Sequence, residues 1–271
     1  MIKQAIIPLA GLGTRLLPLT SVIPKELLPI NGKPGLEYIL DECVTAGIKE
    51  IIFVISNKKK IIKNYFYSDS FFKKIIKNKI KDKRIKNEYK KITKYKKMIK
   101  FVYQNKPLGT GDAILRCKNL IKSKNFLILL PDDLIMKKNC SLEMLKIHKK
   151  YQSSVIASMK VAKKDVSRWG IFKVNKYIKK NILIDDVIEK PLVRLAPSRF
   201  AVIGRYILPR KIFKILKNQK RGKGGEIHIT DAIKTLLFQK NKFIGHVFSG
   251  KYLDCGTMKG YVNSGIEISR L

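Results

Sequence analysis

A glycine loop followed by two cations is the stretch whose residue types most clearly predict chemistry. Gly11 and Gly13 follow an apolar run at residues 5–9, and Arg15 and Lys25 come next. Glycines at a sharp turn allow successive backbone N–H groups to approach an anion closely. A polyphosphate held by such a loop would meet both cations, so the sequence predicts a phosphate-binding loop. A tight turn without a ligand is the alternative for two glycines alone.

The spacing of this loop excludes two common phosphate-binding motifs. The chain contains no GxxxxGK[ST] pattern, and residues 11–16, GLGTRL, lack the third glycine of a dinucleotide-binding fingerprint. A different kind of phosphate loop is therefore expected.

Two adjacent carboxylates, Asp132 and Asp133, end the apolar run at residues 125–130, where a buried strand is predicted. Ligands of open α/β sheets bind beyond the carboxyl ends of the strands, so an aspartate here should face the same crevice as the glycine loop. Mg²⁺ takes one or two carboxylates and leaves its other positions to water and phosphate. One aspartate at this place would therefore suffice to hold Mg²⁺.

Alternating helices and strands must position these residues. Residues 36–46 carry apolar side chains at a helical period, and residues 50–56 form the continuous β-branched run of a buried parallel strand. With the strand before the glycine loop they make a βαβ unit. Further strands are predicted at residues 99–103, 125–130, 154–159, 170–174 and 184–191. The pattern indicates an α/β fold with a mixed, mainly parallel central sheet flanked by helices.

Residues 57–100 are rich in lysine and carry no chemical motif. Segments such as residues 71–77 predict amphipathic helices with a solvated cationic face. We interpret the stretch as a helical insertion without a catalytic role.

Composition favours a globular cytoplasmic protein without a membrane partner. The 271 residues are 45% hydrophobic, and no apolar stretch approaches the roughly 20 residues of a bilayer span. The N-terminus lacks a signal-peptide pattern. The cysteines lie far apart without zinc spacing, as expected for thiols in a reducing compartment, and they are Cys43, Cys117, Cys140 and Cys255.

The net charge of +38 is the feature that suggests nucleic-acid binding. The lysines are spread over the whole chain, and no helix-turn-helix, zinc-finger or RNA-recognition signature accompanies them. Such a distribution is typical of A/T-rich codon usage. We therefore expect weak, salt-sensitive adhesion to nucleic acids and no specific nucleic-acid partner.

Several separated motifs together resemble the sugar-nucleotide pyrophosphorylases, which join a nucleoside triphosphate to a sugar 1-phosphate. They are GLGTR at residues 11–15, PKELLP at residues 24–29 and EKP at residues 189–191. Residues 195–208 and 225–233 are most similar to the bacterial branch that uses UTP and glucose 1-phosphate. The resemblance covers nearly the whole chain except residues 57–100.

The resemblance implies a Rossmann-like nucleotidyltransferase fold in a single domain over residues 1–271. Residues 1–152 would bind the nucleotide, and residues 153–271 would bind the sugar. In the family, a glutamine and a glycine loop recognise the base, and a glycine and a glutamate contact the sugar. The implied substrate-binding residues are Ala10, Gly11, Gly13, Thr14, Gln104, Gly109, Gly170 and Glu189.

The resemblance also assigns the charged groups. Arg15 and Lys25 would contact the triphosphate, and Lys190 the sugar phosphate. Asp132 matches the family's Mg²⁺ ligand, and Asp254 matches a second metal ligand of some relatives. Asp133 is interpreted as a helix N-cap or as a group behind the ligand. The residues that depart from many relatives are Thr110, Asp112, Trp169 and His228.

The implied reaction converts UTP and α-D-glucose 1-phosphate to UDP-glucose and pyrophosphate with Mg²⁺ and no protein nucleophile. Another substrate pair, such as dTTP with glucose 1-phosphate, is the alternative enzyme. A nucleic-acid-binding protein on a retired enzyme scaffold is the alternative from another class. Because relatives are often dimers or tetramers, we expect a homo-oligomer. Replacing Asp132 by Asn should abolish activity and leave the melting temperature level or higher.

Overall fold

Strands and helices alternate through the computed structural model, which describes residues 2–67 and 81–271. The strands are β1 Gln4–Pro8, β2 Pro29–Ile30, β3 Lys33–Pro34, β4 Glu50–Ile55, β5 Ile99–Tyr103, β6 Asn125–Leu129, β7 Asp133–Met136, β8 Ser154–Lys160, β9 Gly170–Ile178, β10 Asn181–Glu189, β11 Phe200–Pro209, β12 Phe243–Val247 and β13 Lys251–Asp254. The helices are α1 Gly35–Thr45, α2 Lys60–Tyr67, α3 Lys83–Lys96, α4 Thr110–Leu115, α5 Cys140–Tyr151, α6 Ile212–Asn218, α7 Ile229–Phe238 and α8 Met258–Ser269.

A mixed sheet with the strand order β5-β4-β1-β6-β11-β8-β12-β10-β9 forms the centre of the described residues. The strands β5, β4, β1 and β6 are parallel neighbours. Beyond them β11 runs antiparallel to β6 and β8, and β10 runs antiparallel to β12 and β9. The mixed sheet flanked by helices is confirmed, with most of its parallel pairing within residues 1–152. The expectation of a mainly parallel sheet is wrong, because four of the eight neighbouring pairs in this order are parallel and four are antiparallel. The nine described strands in this order form one continuous sheet, so the strand pairing marks no boundary near residue 152. The division into a nucleotide-binding half and a sugar-binding half stays a prediction.

Apolar side chains on both faces of the sheet explain why helices cover both. Strands β1 and β4 are almost wholly buried. One core cluster joins them to α1 and α5, and the other joins them to α4, α6 and α7. In α1, Leu36, Ile39, Leu40 and Cys43 face the core at the predicted helical spacing. Burying each such side chain contributes about 1.5–3 kcal/mol before entropy is counted.

The lysine-rich insertion is helical where the structure describes it. Helix α2 buries Ile62 and Phe66, and α3 buries Tyr95, whose hydroxyl donates to Asp41 at the side of α1. The lysines of α3 face mostly outward. The predicted segment at residues 71–77 lies outside the described residues. No helix within the described ranges is long and apolar enough to span a membrane.

Candidate active site

Two adjoining cavities open at the edge of the sheet where β1 and β6 end. The loop cavity, of about 570 Å³, is lined among others by Ala10, Gly11, Gly13, Thr14, Lys25, Gln104, Gly109 and Asp132. The wide cavity, of about 800 Å³, is lined among others by Thr14, Arg15, Asp132, Gly170, Glu189, Lys190 and Asp254. Every residue proposed from the sequence for substrate or metal thus lines one of them, and Asp132 lines both.

The glycine loop follows β1, and its backbone conformation requires a glycine at only one of the two glycine positions. Gly13 has φ +72°, a left-handed conformation, and a Cβ there would lie 3.1 Å from Thr20 Cγ2. The Thr20 hydroxyl donates to the Gly13 carbonyl at 2.8 Å and holds the turn. At Gly11 a Cβ would meet no described atom within 4 Å. The space beside Gly11 is therefore open to a ligand.

Lys25 and Asp132 form the central ion pair of the site. Lys25 Nζ lies 2.7 Å from Asp132 Oδ2, and the Arg15 guanidinium approaches the same oxygen at 3.4 Å. Burial alone would lower the pKa of Lys25, but the carboxylates of Asp132 and Glu26 outweigh it and raise that pKa. Burial would likewise raise the pKa of Asp132, but Lys25 and Arg15 lower it. Both groups of the pair are therefore charged at neutral pH.

Lys59 supports this ion pair from behind, which the sequence did not predict. Its buried ammonium donates to both carboxylate oxygens of Glu26, at 2.9 and 2.8 Å, and to the Leu9 carbonyl at 2.8 Å. Lys59 thus ties the strand end before the glycine loop to the segment that carries Lys25. Burial lowers the pKa of Lys59 even though Glu26 opposes that shift. The insertion therefore supplies a positioning residue at its first turn.

The far wall of the loop cavity is shaped by Gly109. It has φ +92°, and a Cβ would lie 2.7 Å from the Ile227 carbonyl oxygen and 2.9 Å from Glu226 Cβ. No residue with a side chain fits between these segments without displacing backbone. Gln104 is 5% exposed and donates from its side-chain amide to the Gly109 carbonyl at 3.0 Å. The wall is thus a fixed surface with an amide group in it.

The wide cavity carries charges that are weakly paired. Gly170 and Glu189 face each other across the β9–β10 ladder, and a Cβ on Gly170 would lie 3.1 Å from Glu189 Oε2. The absent side chain leaves room for this carboxylate beside the cavity. Lys190 has φ +44° and is tied by its backbone N–H to the Trp169 carbonyl at 3.1 Å. Its ammonium stands 4.0 Å from Glu189 Oε1, and its side chain is 56% exposed.

Two carboxylates from distant parts of the chain converge beside Gly256. A Cβ on Gly256 would lie 2.8 Å from Arg15 Nη2, 2.9 Å from Asp132 Oδ2 and 3.2 Å from Asp254 Oδ1. Asp254 also accepts from the Gly256 N–H at 2.8 Å and pairs with the Arg168 guanidinium at 3.3 Å. Within the described residues, no group of three or more His, Cys, Asp or Glu side chains could hold a metal. The two carboxylates nevertheless meet beside Gly256, next to the Arg15 guanidinium, and Mg²⁺ needs only one or two carboxylates.

Asp133 follows Asp132 in the wall of the wide cavity and anchors neighbouring strands. It begins β7, so its interpretation as a helix N-cap is wrong. It accepts from the Gly204 N–H at 2.9 Å and from the Tyr252 hydroxyl at 2.6 Å. Burial, together with the Asp132 charge, raises the pKa of Asp133 to about 6. Its interpretation as a group behind the ligand stays a prediction, since Asp133 also lines the wide cavity.

Comparison with known proteins gives one consistent result along the chain. The family model described as Nucleotidyl transferase matches residues 4–269. A UTP--glucose-1-phosphate uridylyltransferase of Mycoplasma pneumoniae is 37% identical over 268 residues, which are 98% of this chain and 91% of that protein.

Solved structures give the same result in three dimensions. A UDP-glucose pyrophosphorylase complexed with UDP-glucose superposes with a TM-score of 0.88 at 35% identity, covering 100% of this chain and 99% of the other. A UTP-bound UGPase from Acinetobacter baumannii has a TM-score of 0.88 at 34% identity, with 99% and 93% covered.

Proposed function

The chain belongs to the nucleotidyl transferase family, and we propose that it converts UTP and α-D-glucose 1-phosphate to UDP-glucose and pyrophosphate. The observation that carries this proposal is that the loop cavity and the wide cavity meet at Asp132. A nucleoside triphosphate in the first would have its phosphates beside Lys25 and Arg15. A sugar phosphate in the second would have its phosphate beside Lys190.

The reaction is a displacement at phosphorus. A non-bridging oxygen of the sugar phosphate attacks the α-phosphorus of UTP and forms a new P–O bond. The bond from the α-phosphorus to the oxygen bridging toward the β-phosphorus breaks, and pyrophosphate leaves with that electron pair. Such a transfer needs little covalent or proton chemistry from the protein, so no protein nucleophile is required.

The residues of the chain contribute position and charge. The open space at Gly11 admits the phosphates to the loop, and Lys25 and Arg15 neutralise the charge that develops on the departing pyrophosphate. Lys190 holds the attacking phosphate, while Glu189 accepts hydrogen bonds from sugar hydroxyls. Bringing both substrates to one point removes much of the entropic barrier to their reaction.

We propose that Asp132 and Asp254 hold Mg²⁺. The bound ion supplies positive charge to the phosphate oxygens. The two carboxylate oxygens beside Gly256 are the observation that supports this assignment. Lys25 and Arg15 both contact Asp132 Oδ2, so an ion at that oxygen would share it with the two cations.

A substrate panel tests the proposed function. The purified chain is assayed for pyrophosphate release with UTP, dTTP, CTP or ATP, each combined with several sugar 1-phosphates. We expect UTP with glucose 1-phosphate to be the best pair. A faster reaction of dTTP with glucose 1-phosphate would overturn the substrate assignment and leave the reaction class. Absence of pyrophosphate release with every pair would overturn both.

We further propose a homo-oligomer in the cytoplasm. Leu17 and Val22, which are 55% and 80% exposed beside the glycine loop, are apolar side chains that a second copy could cover. The buried, unbonded thiols of the cysteines suit a reducing compartment. Light scattering on the purified chain should give the mass of a dimer or tetramer, and the mass of a monomer would overturn the assembly.

A further inference from the structure

Both hydrogens of the Gln104 side-chain amide are committed within the protein. The Nε2 atom donates to the Gly109 carbonyl at 3.0 Å and to Asp112 Oδ2 at 2.8 Å. A primary amide nitrogen carries two hydrogens, so it has none left for a ligand. Gln104 lines the loop cavity, and its other polar side-chain atom, Oε1, receives no hydrogen bond from any described residue. The amide therefore offers the cavity an acceptor and no donor.

Asp112 is what fixes this orientation. It is 8% exposed, and the Arg116 guanidinium donates to its Oδ2 at 2.8 Å and to its Oδ1 at 3.4 Å. A carboxylate that receives these bonds acts only as an acceptor. If the Gln104 amide were reversed, its oxygen would face two acceptors, the Asp112 carboxylate and the Gly109 carbonyl. Repulsion from both excludes that orientation.

We propose that Asp112, held by Arg116, is a specificity-determining positioning residue that presents Gln104 Oε1 to the base as an acceptor. A base that places an N–H at this atom, as uracil does at N3, forms a hydrogen bond with it. Cytosine has a lone pair at N3, so its N3 acceptor would face the Gln104 Oε1 acceptor and no hydrogen bond would form. This inference rests on the proposed function, since it assigns the base to the loop cavity.

A purely structural role accounts for only part of the arrangement. Asp112 lies in the first turn of α4 and pairs with Arg116 four residues later, which stabilises a helix by itself. That role requires no contact with Gln104, which lies outside the helix. It also predicts that loss of Asp112 weakens all nucleotides equally. The selectivity between bases therefore separates the two roles.

The experiment compares UTP with CTP binding to the intact chain by calorimetry, without sugar phosphate. Asp112→Ala releases the second amide hydrogen, so the preference for UTP over CTP should fall about tenfold, the effect of one misplaced hydrogen bond. Asp112→Asn should keep the preference within about threefold, because its amide oxygen can still accept from Gln104. Glu88→Ala, which removes an exposed acidic partner on α3, is the control and should change nothing.

An unchanged preference in Asp112→Ala would overturn the inference, as would an equal loss of affinity for both nucleotides. If that variant does not fold, the UTP and CTP affinities of Asp112→Leu are compared instead. Leucine fills the space of Asp112 without an acceptor, so the same fall in preference is expected. Because binding is measured without turnover, the proposed function is judged separately. A chain that makes no UDP-glucose but loses its UTP preference in Asp112→Ala would refute the function and support the inference.

Discussion

The two cavities of the site hold their charges in different ways. In the loop cavity, Lys25 and Asp132 are 2.7 Å apart, with side chains 15% and 19% exposed. In the wide cavity, Lys190 and Glu189 stand 4.0 Å apart, with side chains 56% and 30% exposed. In the proposed function, the nucleotide would therefore compete with Asp132 for Lys25 and Arg15. The sugar phosphate would meet Lys190, whose contact with Glu189 is long and exposed to solvent.

This difference separates stability from activity in the two cavities. Removing one partner of a poorly solvated ion pair leaves the other charge without compensation, which lowers the free energy of unfolding. Removing one partner of an exposed pair changes that free energy little. Substitutions in the loop cavity should therefore affect both folding and turnover, whereas substitutions in the wide cavity should affect the reaction alone.

The largest expected effect is that of Asp132→Asn, which removes the charge shared by both cavities. We expect turnover to fall about a thousandfold or more, since the proposed metal ligand and the partner of Lys25 are lost together. The sequence alone suggested a level or higher melting temperature. Because the structure pairs Asp132 with Lys25 and Arg15, we now expect the melting temperature of the ligand-free protein to fall.

The measurement is Mg²⁺-dependent synthesis of UDP-glucose together with thermal unfolding. Asp254→Asn should show a weaker loss of turnover. An Asp132→Asn protein with full Mg²⁺-dependent activity would remove the central residue of the mechanism.

Lys25→Ala should lower turnover by about two to three orders of magnitude, as for loss of a preorganised charge partner. Lys33→Ala is a matched control, because Lys33 forms a 2.6 Å ion pair with Asp41 and lines neither cavity. The assay is steady-state pyrophosphate release at saturating substrates. Equal turnover in the Lys25→Ala and control variants would show that the paired cation has no catalytic role.

Lys190→Ala should raise the KM for glucose 1-phosphate about tenfold to a hundredfold, the range for losing a hydrogen bond to a charged group. The KM for UTP should stay within about twofold of wild type, because Lys190 lines only the wide cavity. Titration of each substrate at a saturating level of the other gives both values. A rise in the KM for UTP instead would contradict the division of the site into two cavities.

The smallest expected effect concerns folding. Lys25→Met should lower the free energy of unfolding by about 2 kcal/mol, less than for a fully buried pair. Lys190→Met should change it by less than about 0.5 kcal/mol. Urea unfolding of both variants and the wild type gives these differences. Similar losses in the two variants would contradict the contrast between the cavities.

The loss in Lys25→Met should be larger at pH 8.5 than at pH 5.5, because without Lys25 the burial of Asp132 raises its pKa and a proton taken up at the lower pH relieves the unpaired charge. The pKa of Lys25 is raised above 10.5, so its stabilisation is present below that pH and is lost only as pH rises further. The pKa of Asp132 is lowered below 3.8, so its stabilisation is present above that pH and is lost as pH falls further. An equal loss at the two pH values would show that Asp132 stays charged without Lys25.

The local parts of the site could be predicted from sequence, because glycines, prolines and apolar runs act over a few residues. The glycine loop after β1 and Asp132 after β6 follow from such runs. Strand β9 extends to Ile178, beyond the predicted residue 174. Residues 175–177 are exposed, so no alternation of buried apolar side chains marks them as a strand in the sequence. Backbone pairing with β10 holds them in the sheet.

The supporting contacts could not be predicted in this way. Lys59 is one of 58 lysines and arginines, and no local pattern marks it as the partner of Glu26, 33 positions away. Arg205 is fully buried against Glu42 from 163 positions away and also donates to the Leu130 carbonyl at 3.2 Å. Such pairs exist only once the sheet has brought distant segments together.

The most direct test of the account follows the oxygen that joins C1 of glucose 1-phosphate to phosphorus. The wild-type chain is incubated with Mg²⁺, UTP and glucose 1-phosphate carrying ¹⁸O at this bridging position, and the products are analysed by ³¹P NMR and mass spectrometry. Attack at the α-phosphorus leaves the C1–O bond intact, so all of the label should appear in UDP-glucose and none in pyrophosphate. Label in released inorganic phosphate would mean that the C1–O bond breaks, and it would contradict uridylyl transfer.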